Sequence, residues 1–329
     1  MATNSRLGEF DIIREIFRPL AGEDGLNLTD DVAVFSQRAD IVTKDLLIAG
    51  THFLVDDPPD LIARKALRAN ISDIICKGAK PAGYLLGLAL PRLCDADWLQ
   101  RFADGLSHDQ QVFDIHLLGG DTTRHAGDGP LVISITLFGK MTEGLRPVLR
   151  SGAAPGDVLA VTGTIGDAGL GLAVAQADLR LDPEADEFLM RRYRVPVLRQ
   201  ELAPAIAISA SASLDISDGL IADAGHIASA SALRIDLDLD KMPLSPAAQS
   251  WVSQQADTAL ALSQLASFGD DYEILFTAPA PRMIALKARA ADSGVTVTVI
   301  GQCREGEGVA VLSGGKEITP PKRGHDHFA

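Results

Sequence analysis

Two spacings of hydrophobic residues alternate along the first half of the chain. Apolar residues at every second position, or in short unbroken runs, predict strands, and an apolar stripe with a 3.6-residue period predicts helices. The stripe is clearest in 60–78, which follows Pro58-Pro59, ends at Gly78 and has Asp60 as its predicted N-cap residue. The strands predicted here are 32–35, 41–47, 84–90, 115–118 and 131–138, and the second helix is 96–112.

A similar alternation fills the second half. Turn-forming residues crowd 144–156, which favours a domain boundary between an N-terminal domain, 1–145, and a C-terminal domain, 146–329. The predicted fold class is α/β with mixed sheets, in which antiparallel pairing is expected. The elements predicted after the boundary are strands 158–161, 213–216, 234–239, 272–277 and 295–300, helices 168–177, 184–192, 197–208 and 282–293, and a further helix that Asp218-Gly219 opens.

Composition narrows the class of protein. The chain has 329 residues, 47% of them hydrophobic and 22% charged, which is typical of a globular protein of two average domains. Its 30 basic against 44 acidic residues give a net charge of −14, which disfavours binding to nucleic acid or to an anionic membrane. No apolar run approaches the roughly 20 residues that span a bilayer, and no secretory signal or C-x-x-C pair is present. We therefore expect a cytoplasmic protein.

Short acidic clusters are the most informative chemical feature. Each lies beside glycine or a hydroxyl residue at the mouth of an apolar run, and strand 115–118 is expected to deliver Asp121 at its carboxyl end. If several clusters converge, they need cations, because two carboxylates about 5 Å apart at an effective dielectric of about 20 repel by roughly 3 kcal/mol. Oxygen ligands favour magnesium, manganese or calcium, and magnesium usually shares its remaining positions with water and phosphate. The clusters are 29–31, 43–45, 70–73, 119–123, 215–219 and 269–271.

A glycine-rich turn, 163–169, leaves two interpretations open. Its backbone N–H groups lie between a predicted strand and a predicted helix, where they can bind a phosphate, but the same sequence suits a tight turn about equally well. The nucleotide-binding motifs of P-loop proteins and protein kinases are absent from the sequence. Any ATP site must therefore use another arrangement.

The order of the motifs indicates a family. They include Gly8-Glu9-Phe10, Asn70-Ile71-Ser72-Asp73, Gly119-Gly120-Asp121-Thr122-Thr123, Asp215-Ile216-Ser217-Asp218-Gly219, Asp270-Asp271-Tyr272-Glu273 and Gly324-His325-Asp326-His327-Phe328. Together they resemble the thiamine-monophosphate kinase family, in the superfamily of aminoimidazole ribonucleotide synthetase and selenophosphate synthetase. The resemblance covers essentially the whole chain, and the first and last motifs resemble the thiamine enzymes in particular.

The resemblance implies a two-domain aminoimidazole ribonucleotide synthetase-like fold and ATP-dependent phosphorylation of thiamine monophosphate to thiamine diphosphate. It also implies several Mg²⁺ ions and a homodimer formed through the N-terminal halves. The metal positions that it implies are Asp31, Thr43, Lys44, Asp45, Asp73, Asp121, Asp215 and Asp218. The implied nucleotide positions are Gly120, Asp121, Arg150 and Ser217, and the implied substrate positions are His52, Asp270 and His325.

The chain departs from the family pattern at Thr29, Lys44, Phe268 and His325. Because neighbouring strand side chains face opposite ways, we expect Thr43 and Asp45 to share the site face while Lys44 points into solvent and offers only its carbonyl. The alternative is that the Lys44 ammonium replaces one cation. Two other functions also stay open, namely another ATP-dependent synthetase of this superfamily and a non-catalytic protein that binds metal and nucleotide.

Overall fold

The computed structural model describes residues 13–22 and 40–325. The chain folds into two compact units. Of the described residues, those up to Ile74 and Lys80–Met141 belong to the first unit, and Ile75–Ala79 and those from Thr142 onward belong to the second. The mixed α/β fold class is confirmed, because each unit combines one sheet with helices. The predicted strand 32–35 lies outside the described residues.

The first unit is a four-stranded sheet with two long helices. In the order β1-β4-β2-β3, strands β1 and β2 run antiparallel to β4, and β2 runs parallel to β3. A short helical segment, Ile13–Phe17, and a 3₁₀ turn, Arg18–Leu20, precede the sheet. The strands are β1 (Ile41–Ile48), β2 (Lys80–Leu90), β3 (His116–Arg124) and β4 (Val132–Lys140), and the helices are α1 (Pro59–Cys76) and α2 (Ala96–Phe113).

The two faces of this sheet differ. Alternation buries Leu86 and Leu88 of β2 with Ile133, Ile135 and Leu137 of β4 on one face. Helix α1 packs on that face, since a Cβ added at Gly139 would lie 2.7 Å from Ile74 Cγ2. Val42, Leu46 and Leu85 are exposed on the opposite face, which we call the open face. One row across this face, from edge strand β1 to edge strand β3, is Leu46, Ser134, Gly87 and Asp121.

Two predictions for this unit are wrong in detail. Helix α1 begins at Pro59, and the Pro58 carbonyl accepts from the Ile62 N–H at 2.9 Å, so Asp60 lies in the first turn rather than at the N-cap. Proline fits the first helical position, where an N–H has no partner to lose. Strand β3 does not end at Leu118 but continues to Arg124, because β2 offers parallel pairing partners as far as Leu90. Asp121 therefore lies inside a strand.

The second unit is built on a seven-stranded sheet in the order β11-β10-β7-β9-β5-β8-β6. Only β7 and β10 pair in parallel within it, and the other pairs are antiparallel. Its strands are β5 (Val158–Thr162), β6 (Ala212–Asp215), β7 (Arg234–Asp238), β8 (Ile274–Ala278), β9 (Val297–Arg304), β10 (Gly308–Ser313) and β11 (Lys316–Ile318). Its helices are α3 (Asp167–Ala175), α4 (Pro183–Arg194), α5 (Ala203–Ser209), α6 (Leu220–Ser231), α7 (Pro246–Ser253), α8 (Thr258–Leu265) and α9 (Ala280–Asp292).

The predicted helix 197–208 is shorter in the structure. Only a 3₁₀ turn, Gln200–Leu202, and helix α5 form there. Pro204 lies in the first turn of α5, where proline can begin a helix but cannot continue one that started earlier. Helices α7 and α8 and strands β10 and β11 were not predicted. None of the helices among the described residues is long and apolar enough to cross a membrane.

Candidate active site

Strand β1 places two oxygen-bearing side chains on the face that packs against helix α1. Thr43 Oγ1 donates to Asp73 Oδ2 at 2.5 Å, and Asp73 lies in the last part of α1. The Asp45 N–H donates to Asn70 Oδ1 at 3.2 Å, and the Asn70 amide in turn donates to the Ala66 carbonyl at 3.1 Å. One strand and one helix therefore bring together the polar residues of two separate acidic clusters.

Electrostatics distinguishes Asp45 within this group. Burial, and then the negative charge of Asp73, raise the pKa of Asp45 to about 6, although the nearby Lys44 ammonium opposes the shift. Two carboxylates that interact in this way favour either a proton or a cation between them. The side-chain atoms here that could bind a metal are all hard oxygens, which suit magnesium better than zinc.

Lys44 faces away from this group. Its ammonium donates to Ser134 Oγ at 2.9 Å on the open face of the sheet. The outward orientation predicted from strand alternation is therefore observed. Asp121 pairs with Gly87, which in turn pairs with Ser134, so the register places Asp121 in the same row of the open face. Asp121 is exposed, and within the described residues no hydrogen bond joins it to Asp45 or Asp73.

The other positions implied for the first unit lie at different places. Gly120 is exposed in β3, next to Asp121. His52 follows β1, and its Nδ1 accepts from the Ile48 N–H at 3.1 Å, which leaves the ring proton on Nε2. Asp31 lies outside the described residues.

In the second unit, three motifs that are distant in sequence meet through their backbones. The Asp270 N–H donates to the Ser217 carbonyl at 2.9 Å, and the Tyr272 N–H donates to the Ile216 carbonyl at 2.8 Å. The His325 N–H donates to the Asp218 carbonyl at 2.8 Å. The structure therefore gathers the predicted residues Asp215, Ser217, Asp218, Asp270 and His325 in one place. Arg150 is exposed, and its carbonyl accepts from Ser231 Oγ at 3.4 Å, at the last residue of helix α6.

Close backbone approach explains two glycines of these motifs. A Cβ at Gly269 would lie 2.3 Å from the Ser217 carbonyl oxygen. A Cβ at Gly219 would lie 2.9 Å from the Ser267 carbonyl carbon, and Gly219 has a φ of +118°. Any side chain at either position would separate the two motifs.

Two further residues join this group. Asp223, in the first turn of α6, is buried and accepts from the N–H groups of Asp218 and Gly219, each at 3.1 Å. Burial, followed by the charges of Asp215 and Asp218, raises its pKa well above the usual value. One ligand atom from each of Asp218, Asp223 and His226 lies within 4.8 Å of the others. The sequence signal for both residues was their i, i+3 spacing on one face of a helix that follows an acidic motif.

Comparison with known proteins identifies the family. Residues 29–141 match the model of the AIR synthase related protein, N-terminal domain, and 154–313 match that of its C-terminal domain. The thiamine-monophosphate kinase of Caulobacter vibrioides is 44% identical over 324 residues, which cover 97% of this chain and 90% of that protein. The chain belongs to the thiamine-monophosphate kinase family.

Solved structures agree with this family. The thiamine-monophosphate kinase of Stenotrophomonas maltophilia K279a superposes with a TM-score of 0.81 at 35% identity, covering 95% of this chain and 98% of that one. A second structure of the family, described as AaThiL complexed with AMPPCP and TMP, has a TM-score of 0.76 at 31% identity over 97% of both chains. The resemblance and the two-domain fold predicted from the motifs are confirmed, whereas the roles of the individual site residues stay predictions.

The structure decides between the two interpretations of the glycine-rich turn. The Gly166 N–H donates to Asp271 Oδ2 at 2.7 Å, and the Ala168 N–H donates to Asp271 Oδ1 at 3.2 Å. These N–H groups at the start of α3 therefore bind a carboxylate of the same chain, so in this member of the kinase family the turn has a structural role.

Proposed function

We propose that this protein phosphorylates thiamine monophosphate to thiamine diphosphate with ATP as the donor. The observation that carries the proposal is the match over 97% of both chains to the structure described as complexed with AMPPCP and TMP. AMPPCP is an analogue of ATP, so the description of that relative names a ligand that resembles the donor together with TMP. The 44% identical relative with the same kinase name supports it.

The chemistry of the acceptor fits a site made of carboxylates. A phosphate monoester has a second pKa near 6, so at neutral pH its oxygen is already largely deprotonated. The reaction then requires no general base on the protein. Catalysis depends instead on alignment of the two phosphates and on stabilisation of charge on the transferring group.

Magnesium fits the donor set of both units. In the first unit we assign Asp45, Asp73 and Thr43 to metal binding, because Thr43 Oγ1 donates to Asp73 and the charge of Asp73 adds to burial in raising the pKa of the Asp45 carboxyl. We assign Asp215 and Asp218 to the same role in the second unit, and Asp31 and Asp121 by family resemblance. When bound, magnesium would neutralise phosphate charge and orient the phosphoryl groups.

We assign the remaining positions to the two substrates. Gly120, Arg150 and Ser217 would contact the nucleotide, and His52, Asp270 and His325 would contact thiamine monophosphate. The backbone hydrogen bonds that join Asp270 to Ser217 and His325 to Asp218 support a shared location for three of these residues.

We further propose that the N-terminal domain, 1–145, forms a homodimer. The support is the open face of the four-stranded sheet, where Val42 is 61% and Leu46 48% exposed. Covering such side chains with a second copy removes apolar surface from water.

The test is turnover of purified protein. Incubation with ATP, magnesium and thiamine monophosphate should yield thiamine diphosphate and ADP in equal amounts, separated by chromatography. Formation of ADP only with another acceptor would indicate a different synthetase of the superfamily. Binding of ATP without turnover of any acceptor would indicate a non-catalytic protein.

A further inference from the structure

The turn that carries Asp270 has an unusual backbone. Asp270 has a φ of +68° and Tyr272 a φ of +51°, both in the left-handed region that residues with a Cβ rarely adopt. Two such residues separated by one position need support from their surroundings. The hydrogen bonds from their N–H groups to the Ser217 and Ile216 carbonyls join the turn to the 215–219 motif.

The residues between and after these two positions are buried. Asp271 is 1% exposed and Glu273 is fully buried, whereas Asp270 and Tyr272 are half-buried. Asp271 accepts from two N–H groups at the start of helix α3, those of Gly166 and Ala168. The turn is thus attached at one side to the end of a helix.

Glu273 attaches the other side through charged partners. Its Oε1 accepts from Arg199 at 2.7 Å and from Arg192 at 3.0 Å, and its Oε2 accepts from Arg199 Nε at 2.9 Å. Thr162 Oγ1 donates to Oε2 at 2.6 Å and also accepts from the Ile274 N–H at 2.8 Å. Four donors therefore fill both oxygens of one buried carboxylate.

Electrostatics shows that this pairing is favourable. Burial alone would raise the pKa of Glu273, but the charges of Arg192 and Arg199 and the hydrogen bonds from Arg199 and Thr162 together lower the pKa below the usual value. The backbone of Glu273 also joins the turn to the 215–219 motif, since the Glu273 carbonyl accepts from the Ile216 N–H at 2.9 Å.

We propose that Arg199 and Glu273 are positioning residues that hold the Asp270–Tyr272 turn and thereby fix where Asp270 meets the thiamine monophosphate acceptor. The inference rests on the proposed function for the identity of the acceptor. Arg199 acts only through Glu273 and the turn. Its planar guanidinium supplies two parallel hydrogen bonds that a lysine ammonium cannot reproduce.

Hydrogen exchange tests the positioning without any turnover. In Arg199→Lys, the Asp270 and Tyr272 N–H groups should exchange about tenfold faster than in the wild type, because local opening becomes easier. Arg191→Lys, an exposed position on helix α4, is the matched control and should leave both rates unchanged. Should Arg199→Lys fail to fold, Thr162→Val removes one hydrogen bond from the same carboxylate, together with the acceptor of the Ile274 N–H, and should accelerate exchange of the Asp270 and Tyr272 N–H groups.

Kinetics then connects the turn to the acceptor. Arg199→Lys should raise the KM for thiamine monophosphate about tenfold, while kcat and the KM for ATP stay within about twofold. In an Asp270→Asn background the same change should have little further effect, because both act through one carboxylate. Unchanged exchange rates, additive effects of the two substitutions or equal changes in both KM values would overturn the proposal. A wild-type protein that exchanges as expected but does not turn over thiamine monophosphate would instead refute the proposed function.

Discussion

The Asp45 carboxylate is the residue whose surroundings most clearly favour a cation. Asp45→Asn should lower kcat/KM at fixed magnesium by at least about 100-fold, because a metal ligand and its charge are lost. The same change should leave the thermal unfolding midpoint equal or higher, since it removes repulsion from Asp73. Asp56→Asn, an exposed position that follows the same strand, should change neither quantity. A fully active Asp45→Asn enzyme would contradict the metal assignment.

Lys44 provides a second test at the residue scale. Its ammonium donates to Ser134 on the open face, away from Thr43 and Asp45. Lys44→Thr should therefore keep turnover within about twofold of the wild type and leave the dependence on magnesium unchanged. The measurement is a magnesium titration of both proteins. A steeper dependence in the variant would show that the ammonium replaces a cation.

The connection between helix α3 and the turn at Asp271 gives a prediction at the scale of elements. Burial raises the pKa of Asp271 to about 8, so the folded protein retains a proton there that the unfolded chain loses near pH 4. The contribution of Asp271 to stability must therefore fall as pH rises from about 4 to about 8. Asp271→Asn, which stays neutral, should show a smaller fall in unfolding midpoint than the wild type between pH 5 and 8. Parallel pH profiles of the two proteins would contradict the raised pKa.

Strand alternation could be predicted from sequence, and it correctly predicted which way the side chains of β1 point. It correctly placed Thr43 and Asp45 opposite Lys44, because the two-residue period of a strand is independent of tertiary context. The extent of β3 could not be predicted, because its pairing partner, β2, permits extended backbone through Gly119 and Gly120. Asp121 consequently lies within a strand instead of at its end.

Tertiary contacts explain the remaining misses. The segments that form α7 and α8 are too short to show a repeated helical period, and their capping residues, Ser245 and Asp257, are also common in turns. The glycine-rich turn could not be assigned from sequence, because its ligand, Asp271, is more than 100 residues away. The hydrogen bonds of Asp223 could not be predicted either, because they depend on how the preceding loop, which contains Asp218 and Gly219, folds.

The open face of the first sheet gives the prediction for the whole molecule. Leu46 lies on the edge strand β1, in the row with Ser134, Gly87 and Asp121, and is 48% exposed. If this face joins two copies, the wild type should behave in light scattering as twice the 34.8 kDa chain. Leu46→Glu should shift it toward the monomer, because a buried unpaired carboxylate on each copy opposes association.

The control is a leucine of similar character outside the sheet. Leu93 lies in the loop between β2 and α2 and is 83% exposed, so Leu93→Glu should leave the molar mass unchanged. A dimer that persists in Leu46→Glu would move the interface to another surface, and a wild-type monomer would refute the dimer. Because Asp121 lies in the same row as Leu46, loss of the dimer should also lower turnover if Asp121 acts in catalysis. A Leu46→Glu monomer with full activity would therefore separate the interface from the reaction.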